Sequence, residues 1–206
     1  MISLFRFKHK HILLVEGTIG DADTASLNRL FFEIESVYRP LDVIINSTGG
    51  DLDTALLIYD FLRSINRRVT VRTLCYKQAA SAATVIAQGA STNFRLIVKD
   101  CSYCIHECTT TVQGYSSELR SAADLLDSST QRLAEIYSSY SNNDANFYRQ
   151  LMSKNDGNGV VQTYDEAILN GLVDYIINFK FPISVLTGCL IELLNCHDFD
   201  DKKPFK

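Results

Sequence analysis

The stretch Gln78-Ala-Ala-Ser81-Ala-Ala-Thr-Val-Ile-Ala-Gln-Gly-Ala90 decides how this chain is read. Its small residues predict a helix that approaches its neighbours closely, with Gly89 able to stop it. An apolar strand pattern precedes it at residues 69–75, and two more follow at 94–98 and 102–105. Working back toward the start, the alternation continues. Residues 11–15 read as a buried strand bounded by Gly17 and Gly20. Asp23 is placed to cap a helix carrying Leu27, Leu30, Phe31 and Ile34 at spacings of three and four. After Pro40, Val43, Ile44 and Ile45 form a short strand closed by Asn46-Ser-Thr-Gly-Gly50. A second helix places Leu52, Ala55, Leu56, Tyr59 and Leu62 on one face. Strands alternating with helices predict an α/β fold with right-handed crossovers and a largely parallel sheet covered on both faces.

Beyond His106 the pattern changes. A helix of about 25 residues spans 116–140, some 37 Å long at 1.5 Å per residue. Leu119, Leu126, Leu133 and Tyr140 recur every seven residues on it, a narrow apolar stripe on a polar helix that predicts a subunit contact. Residues 143–159 hold a short helix and then the loop Lys154-Asn-Asp-Gly-Asn-Gly159. Thr163-Tyr-Asp-Glu166 is a capping box, Asn170-Gly171 ends its helix, and 172–177 is the last strand.

Composition narrows the function classes. The 206 residues are 46% hydrophobic and 21% charged, the profile of one packed domain rather than a disordered chain. The net charge of −4 provides no basic excess to neutralise phosphates, so nucleic-acid binding is not expected. No apolar run reaches the roughly 18 residues of a membrane span. The first residues show no signal-peptide pattern, and the six cysteines read as free thiols of a reducing compartment, so a cytoplasmic location is expected.

Three features carry chemistry. Gly49 and Gly50 sit where a strand feeds a helix; they serve either an oxyanion or a tight turn that needs positive φ. Ser81 opens the small-residue helix, where a serine is first a cap but can also present its Oγ as a nucleophile. His106 follows an apolar strand. Nucleophile, base and oxyanion donors at separate strand ends are what acyl transfer needs. The run Cys101-x-x-Cys104-x-His106-x-Cys108 invites a metal, but an extended strand spreads the outer pair of Cys104, His106 and Cys108 about 13 Å apart, too far for tetrahedral zinc. The Rossmann glycine pattern and a Walker lysine are both absent.

Taken in order, Ile45-Asn-Ser-Thr-Gly-Gly50, Ile58-Tyr-Asp60, Gln78-Ala-Ala-Ser81, Ile105-His106, Asp165-Glu-Ala167 and Gly171-Leu-Val-Asp174 resemble the ClpP proteases, the proteolytic subunits of ATP-dependent Clp machines. The resemblance runs from about residue 12 to 177. It implies a ClpP/crotonase-like fold of repeated βαβ units across one domain at 1–180, with a projecting handle helix at about 116–140. It also implies self-association into heptameric rings, paired as a tetradecamer, polypeptide substrates, and an AAA+ unfoldase partner. The cleavage needs no cofactor, ATP belonging to the unfoldase. By position, Ser81 is the expected nucleophile, His106 the base, and the backbone N–H groups of Gly50 and Ala82 the oxyanion hole.

Several positions depart from the family pattern. Thr48 and Cys108 replace its usual prolines, and about two extra residues fall between Gly50 and Ser81. Only about ten residues precede the first expected strand, where the family carries axial-pore loops. Residues 181–206 form a C-terminal extension with no counterpart. Counted back from Glu166-Ala167, the family's aspartate falls on Gly159; an inserted bulge at Gly157-Asn158-Gly159 would return Asp156 to register. Two other readings stand beside a serine endopeptidase: a non-catalytic ring subunit, motivated by Gly159, and a crotonase-like acyl-CoA enzyme, against which Ser81 with His106 argues.

Overall fold

A computed structural model describes residues 1–20 and 24–177 of the chain. The expected Asp23 cap and the 181–206 extension lie outside the described residues.

The described elements alternate as the apolar patterns require. Strand β1 (Ile2–Arg6) is followed by β2 (His11–Ile19), α1 (Thr24–Glu35), β3 (Leu41–Gly50), α2 (Leu52–Ile65) and β4 (Val71–Ala80). Then come α3 (Ala82–Ala87), β5 (Arg95–Val98), β6 (Ser102–Ile105), α4 (Ser116–Ser138), α5 (Ala145–Met152), β7 (Val160–Gln162), α6 (Tyr164–Leu169) and β8 (Tyr175–Ile177). The sheet runs β1-β2-β3-β4-β5-β8, and every pair after the first is parallel.

The central strand β4 forks the sheet. Its first half pairs with β5, with Leu74 opposite Leu96, while its second half pairs with β6, with Ala80 opposite Cys104. Antiparallel β7 then adds to β6. Ten residues of β4 therefore serve two neighbours in turn, and its C-terminal end stands beside the strand that leads to His106.

The strands sort their residues by the two-residue period. Leu13, Val15, Val43, Ile45 and Cys75 join the main core, and Ile12, Leu14, Ile44, Leu74 and Tyr76 the opposite face. Leu27, Phe31 and Ile34 from α1, with Ala55, Ile58, Leu62 and Ile65 from α2, pack on the first face, where Phe31 stacks on Phe61 at 3.9 Å between ring centroids. Helices α3 to α6 contribute to this same cluster. Among the described residues the second cluster contains no helical residue.

Three expectations change. The 78–90 stretch is not one helix. Gln78 to Ala80 are extended because β6 offers them a hydrogen-bonding edge, and the helix begins only at Ala82. Strands β1 and β7 add to the expected set; both are short and without clean alternation, and both are held by antiparallel pairing to a neighbour. The α4 stripe divides: Leu133 is buried with Thr130, Ala134, Ile136 and Tyr137, whereas Leu119 is 44% exposed and Leu126 half-buried; Leu125, off the stripe, is 67% exposed.

A buried arginine closes the far side of the fold. Arg95 makes a bidentate pair with Asp174, at 2.6 Å from Nη2 and 3.1 Å from Nε, and its Nη1 donates to Gln88 and to the Gly171 carbonyl. The Gly171-Leu-Val-Asp174 motif thus serves the fold, because its last residue neutralises a cation buried within the sheet.

Candidate active site

Ser81 follows β4 directly and occupies the N-cap position of α3, with φ 56° and ψ −134°. Outside glycine this backbone conformation is rare and costs roughly 1–3 kcal/mol. Nor does the residue act as a cap, since its side chain makes no cap hydrogen bond. The ordinary explanation for a serine at a helix start therefore fails here. The strained turn is held from two sides. The Ser81 N–H donates to the Cys104 carbonyl at 2.9 Å, and the Ser81 carbonyl accepts from the Thr84 N–H at 2.9 Å and its hydroxyl at 2.6 Å. Thr84 Oγ1 also lies 2.7 Å from the buried Tyr137 hydroxyl, which ties the turn to α4.

Gly49 and Gly50 end β3 beside this turn. At Gly49, with φ +92°, a Cβ would stand 2.5 Å from Ser81 Cβ and 3.0 Å from the Ala82 nitrogen; at Gly50, with φ +140°, it would stand 2.0 Å from the Ile19 carbonyl oxygen. The geometry supports the tight-turn alternative, since both residues take positive φ, and at Gly49 the missing side chain also lets the backbone approach the serine. The Gly49 N–H is engaged by Ser47 Oγ at 3.1 Å. Ala82, the first residue of α3, is buried.

His106 lies just past β6 and is half-buried. Register sets the strand that leads to it beside the Ser81 turn, because Ala80 is opposite Cys104 and the two strands are parallel, while among the described residues no hydrogen bond joins the two side chains. Its Nδ1 stands 2.6 Å from the Glu107 carbonyl oxygen. That contact fixes a tautomer: Nδ1 carries the proton and donates, leaving Nε2 as the acceptor.

Asp156 is not brought to the histidine. It is exposed with φ +55°, and among the described residues no hydrogen bond or ion pair joins it to His106. Its loop nevertheless lies against the histidine segment. The Glu107 N–H donates to the Gly157 carbonyl at 3.0 Å, and a Cβ on Gly159 would come within 2.0 Å of the Ile105 carbonyl oxygen and 3.2 Å of His106 Cα. The position that the family pattern assigns to an aspartate thus touches the histidine backbone, and the residue there has no side chain. The turn is also closed on itself, Gly159 N–H donating to Lys154 and Asn155 Nδ2 to the Gly159 carbonyl at 2.8 and 2.7 Å.

The neighbouring thiols are poor nucleophiles. Burial raises the pKa of Cys104 and of Cys108, so both stay protonated near neutral pH. Among the described residues, no group of three or more His, Cys, Asp or Glu side chains is placed to hold a metal ion.

Compared with known families, residues 3–180 match the Clp protease family. The chain belongs to the Clp protease family. The eight-stranded sheet with its helices agrees with the ClpP fold, and family membership supports a ClpP-like peptidase. No described helix is long and apolar enough to cross a membrane.

Sequence reasoning missed the two backbone carbonyls that hold the Ser81 turn and the His106 ring, those of Cys104 and Glu107, since no side-chain pattern encodes them. It also missed Arg95, for which a signal existed: an arginine inside an apolar strand requires a carboxylate elsewhere in the chain.

Proposed function

We propose that this chain is a serine-type endopeptidase in which Ser81 is the nucleophile and His106 the general base. The observation that carries this reading is the backbone of Ser81, a non-glycine residue held at φ 56° whose hydroxyl does not cap its helix. Strain of that kind persists only where the surrounding structure over-determines it, and it clusters at functional sites.

In this mechanism Ser81 Oγ attacks the carbonyl carbon of a peptide bond while His106 Nε2 takes its proton. The N–H groups of Gly50 and Ala82 stabilise the oxyanion. The imidazolium then protonates the leaving amine, and a water activated by the same nitrogen releases the acyl group. The Glu107 carbonyl holds the tautomer in the role that a carboxylate plays in a full triad. A carbonyl dipole stabilises imidazolium less than a carboxylate charge does, so the enzyme is slower than one with a complete triad. Asp156 is a spectator in this scheme.

The wider proposal follows the family. Protomers form heptameric rings, paired through α4 into a tetradecamer, that enclose the serines; unfolded polypeptides are the substrates; and ATP is used by a separate AAA+ unfoldase in the cytoplasm. One observation favours a second reading, a non-catalytic ring subunit: no carboxylate reaches His106 among the described residues. Hydrolysis of a fluorogenic peptide by the purified protein separates the two. The first reading expects turnover that Ser81→Ala removes, and the second expects none in either protein.

A further inference from the structure

At the C-terminal end of α2, Arg63, Arg67 and Arg68 line one open cavity of about 480 Å³, together with Asn66, Thr70 and Thr92. Among the described residues no carboxylate lines it. Arg63 donates to the Ala90 carbonyl at 3.3 Å and lies over the Tyr140 ring, 4.4 Å from its centroid. Arg68 donates to the Tyr38 hydroxyl at 2.8 Å and lies over that ring at 5.6 Å. Arg67 is exposed.

Of the eight arginines outside the cavity, Arg6, Arg72, Arg95, Arg132 and Arg149 each pair with a carboxylate, while Arg29, Arg39 and Arg120 show no such pair among the described residues. Among the described residues none of the three cavity arginines pairs with a carboxylate. The aromatic and backbone contacts hold Arg63 and Arg68 in place without neutralising them. In a chain of net charge −4, three uncompensated cations around one hollow are a local feature rather than a consequence of overall basicity. The cavity also has a fixed wall. Ser91 Oγ accepts from the Val71 N–H at 3.0 Å and the Ser91 N–H donates back to the Val71 carbonyl at 2.9 Å, so the 91–92 turn is fastened to the start of β4.

We propose that this cavity binds a phosphate chain. The planar guanidinium fork matches pairs of phosphoryl oxygens, and the Thr70 and Thr92 hydroxyls add neutral donors. The volume falls within the roughly 300–1,000 Å³ of small-molecule sites, and a chain of phosphates engages three separate cations at once. The site is distinct from the serine. It borders the first residues of β4, whereas Ser81 follows the last, and ten extended residues span about 33 Å.

Isothermal titration of the full chain with sodium tripolyphosphate at physiological ionic strength tests this. The expected result is saturable binding at one site per protomer, weakened about tenfold by Arg67→Gln, the effect of losing one charge-assisted hydrogen bond. The triple change of Arg63, Arg67 and Arg68 to Gln should abolish it, and Arg29→Gln, on the exposed face of α1, should leave it unchanged. Arg67 has no described hydrogen bond or ion pair, so its variant folds as the parent does. A parallel titration with ATP identifies the source. Binding sensitive to the same variants assigns the phosphate tail of a nucleotide, and binding of tripolyphosphate alone assigns a free inorganic chain. No saturable binding of either compound, or binding that the triple variant retains, overturns the proposal.

Discussion

The Ser81 N–H donates to the Cys104 carbonyl at 2.9 Å, so the turn that carries the serine is fastened to the strand that leads, two residues later, to His106. The serine's position and its backbone strain have one origin. β4 runs on to Ala80 along β6, and the chain must then reverse into α3 within a single residue. A left-handed φ at Ser81 accomplishes this.

That strain predicts an inverse relation between stability and activity at residue 81. Glycine adopts φ 56° without the Cβ penalty, so Ser81→Gly should stabilise the fold by about 1 kcal/mol relative to Ser81→Ala. Thermal denaturation of the two variants checks this. A glycine variant that melts at or below the alanine variant removes strain from the account.

The Glu107 carbonyl at His106 Nδ1 makes a second prediction. If that carbonyl sets the tautomer, Asp156→Asn keeps peptidase activity within about threefold of the parent, while His106→Ala loses it by several orders of magnitude. Steady-state hydrolysis by the two variants decides the matter. An Asp156→Asn enzyme as impaired as His106→Ala would assign the aspartate to the site through a rearranged loop.

The divided stripe of α4 bears on assembly. Leu119 on the stripe and Leu125 beside it are exposed in the protomer, whereas Leu133 belongs to its core. Replacing Leu119 and Leu125 with lysine should therefore break contacts between rings and leave the protomer folded. Light scattering should show the mass of a single ring or less for the variant. A wild-type mass near the 23.1 kDa of one chain contradicts the assembly altogether.

His11 links stability to pH. It is buried at the start of β2, and neither ring nitrogen has a hydrogen-bond partner among the described residues. Burial lowers its pKa below the usual 6.5, the Arg39 guanidinium adds to this, and the Val37 backbone offsets it in part. The unfolded chain therefore binds the proton more readily, and stability falls as pH drops through 6.5 toward the folded-state value. Urea denaturation between about pH 7.5 and 5.5 should show a steeper loss for the parent than for His11→Leu. Equal slopes would contradict the linkage.

Much of this architecture is legible in side-chain periodicity. The helices at 24–35 and 52–65 and the strands around 43–45 and 71–75 follow apolar spacing that burial enforces. The stretch at 78–80 reads as helix because alanines suit one, and only the neighbouring edge of β6 makes it extended. Within the site, Ser81, Gly49, Gly50 and His106 stand out by residue type and order. The acceptor for His106 does not, because a backbone carbonyl belongs to every residue, and only the path of the chain aims the one at Glu107.

The central claim is that Ser81 is an activated nucleophile. An activated serine reacts with a fluorophosphonate, whereas a serine that merely completes a turn does not. The most direct measurement is peptide mass spectrometry of the intact protein after incubation with such a probe. The account predicts a single phosphonylated residue, Ser81, with labelling lost in His106→Ala and retained in Asp156→Asn. An unlabelled Ser81 in the assembled parent protein would contradict it and leave the chain as a structural subunit of its ring.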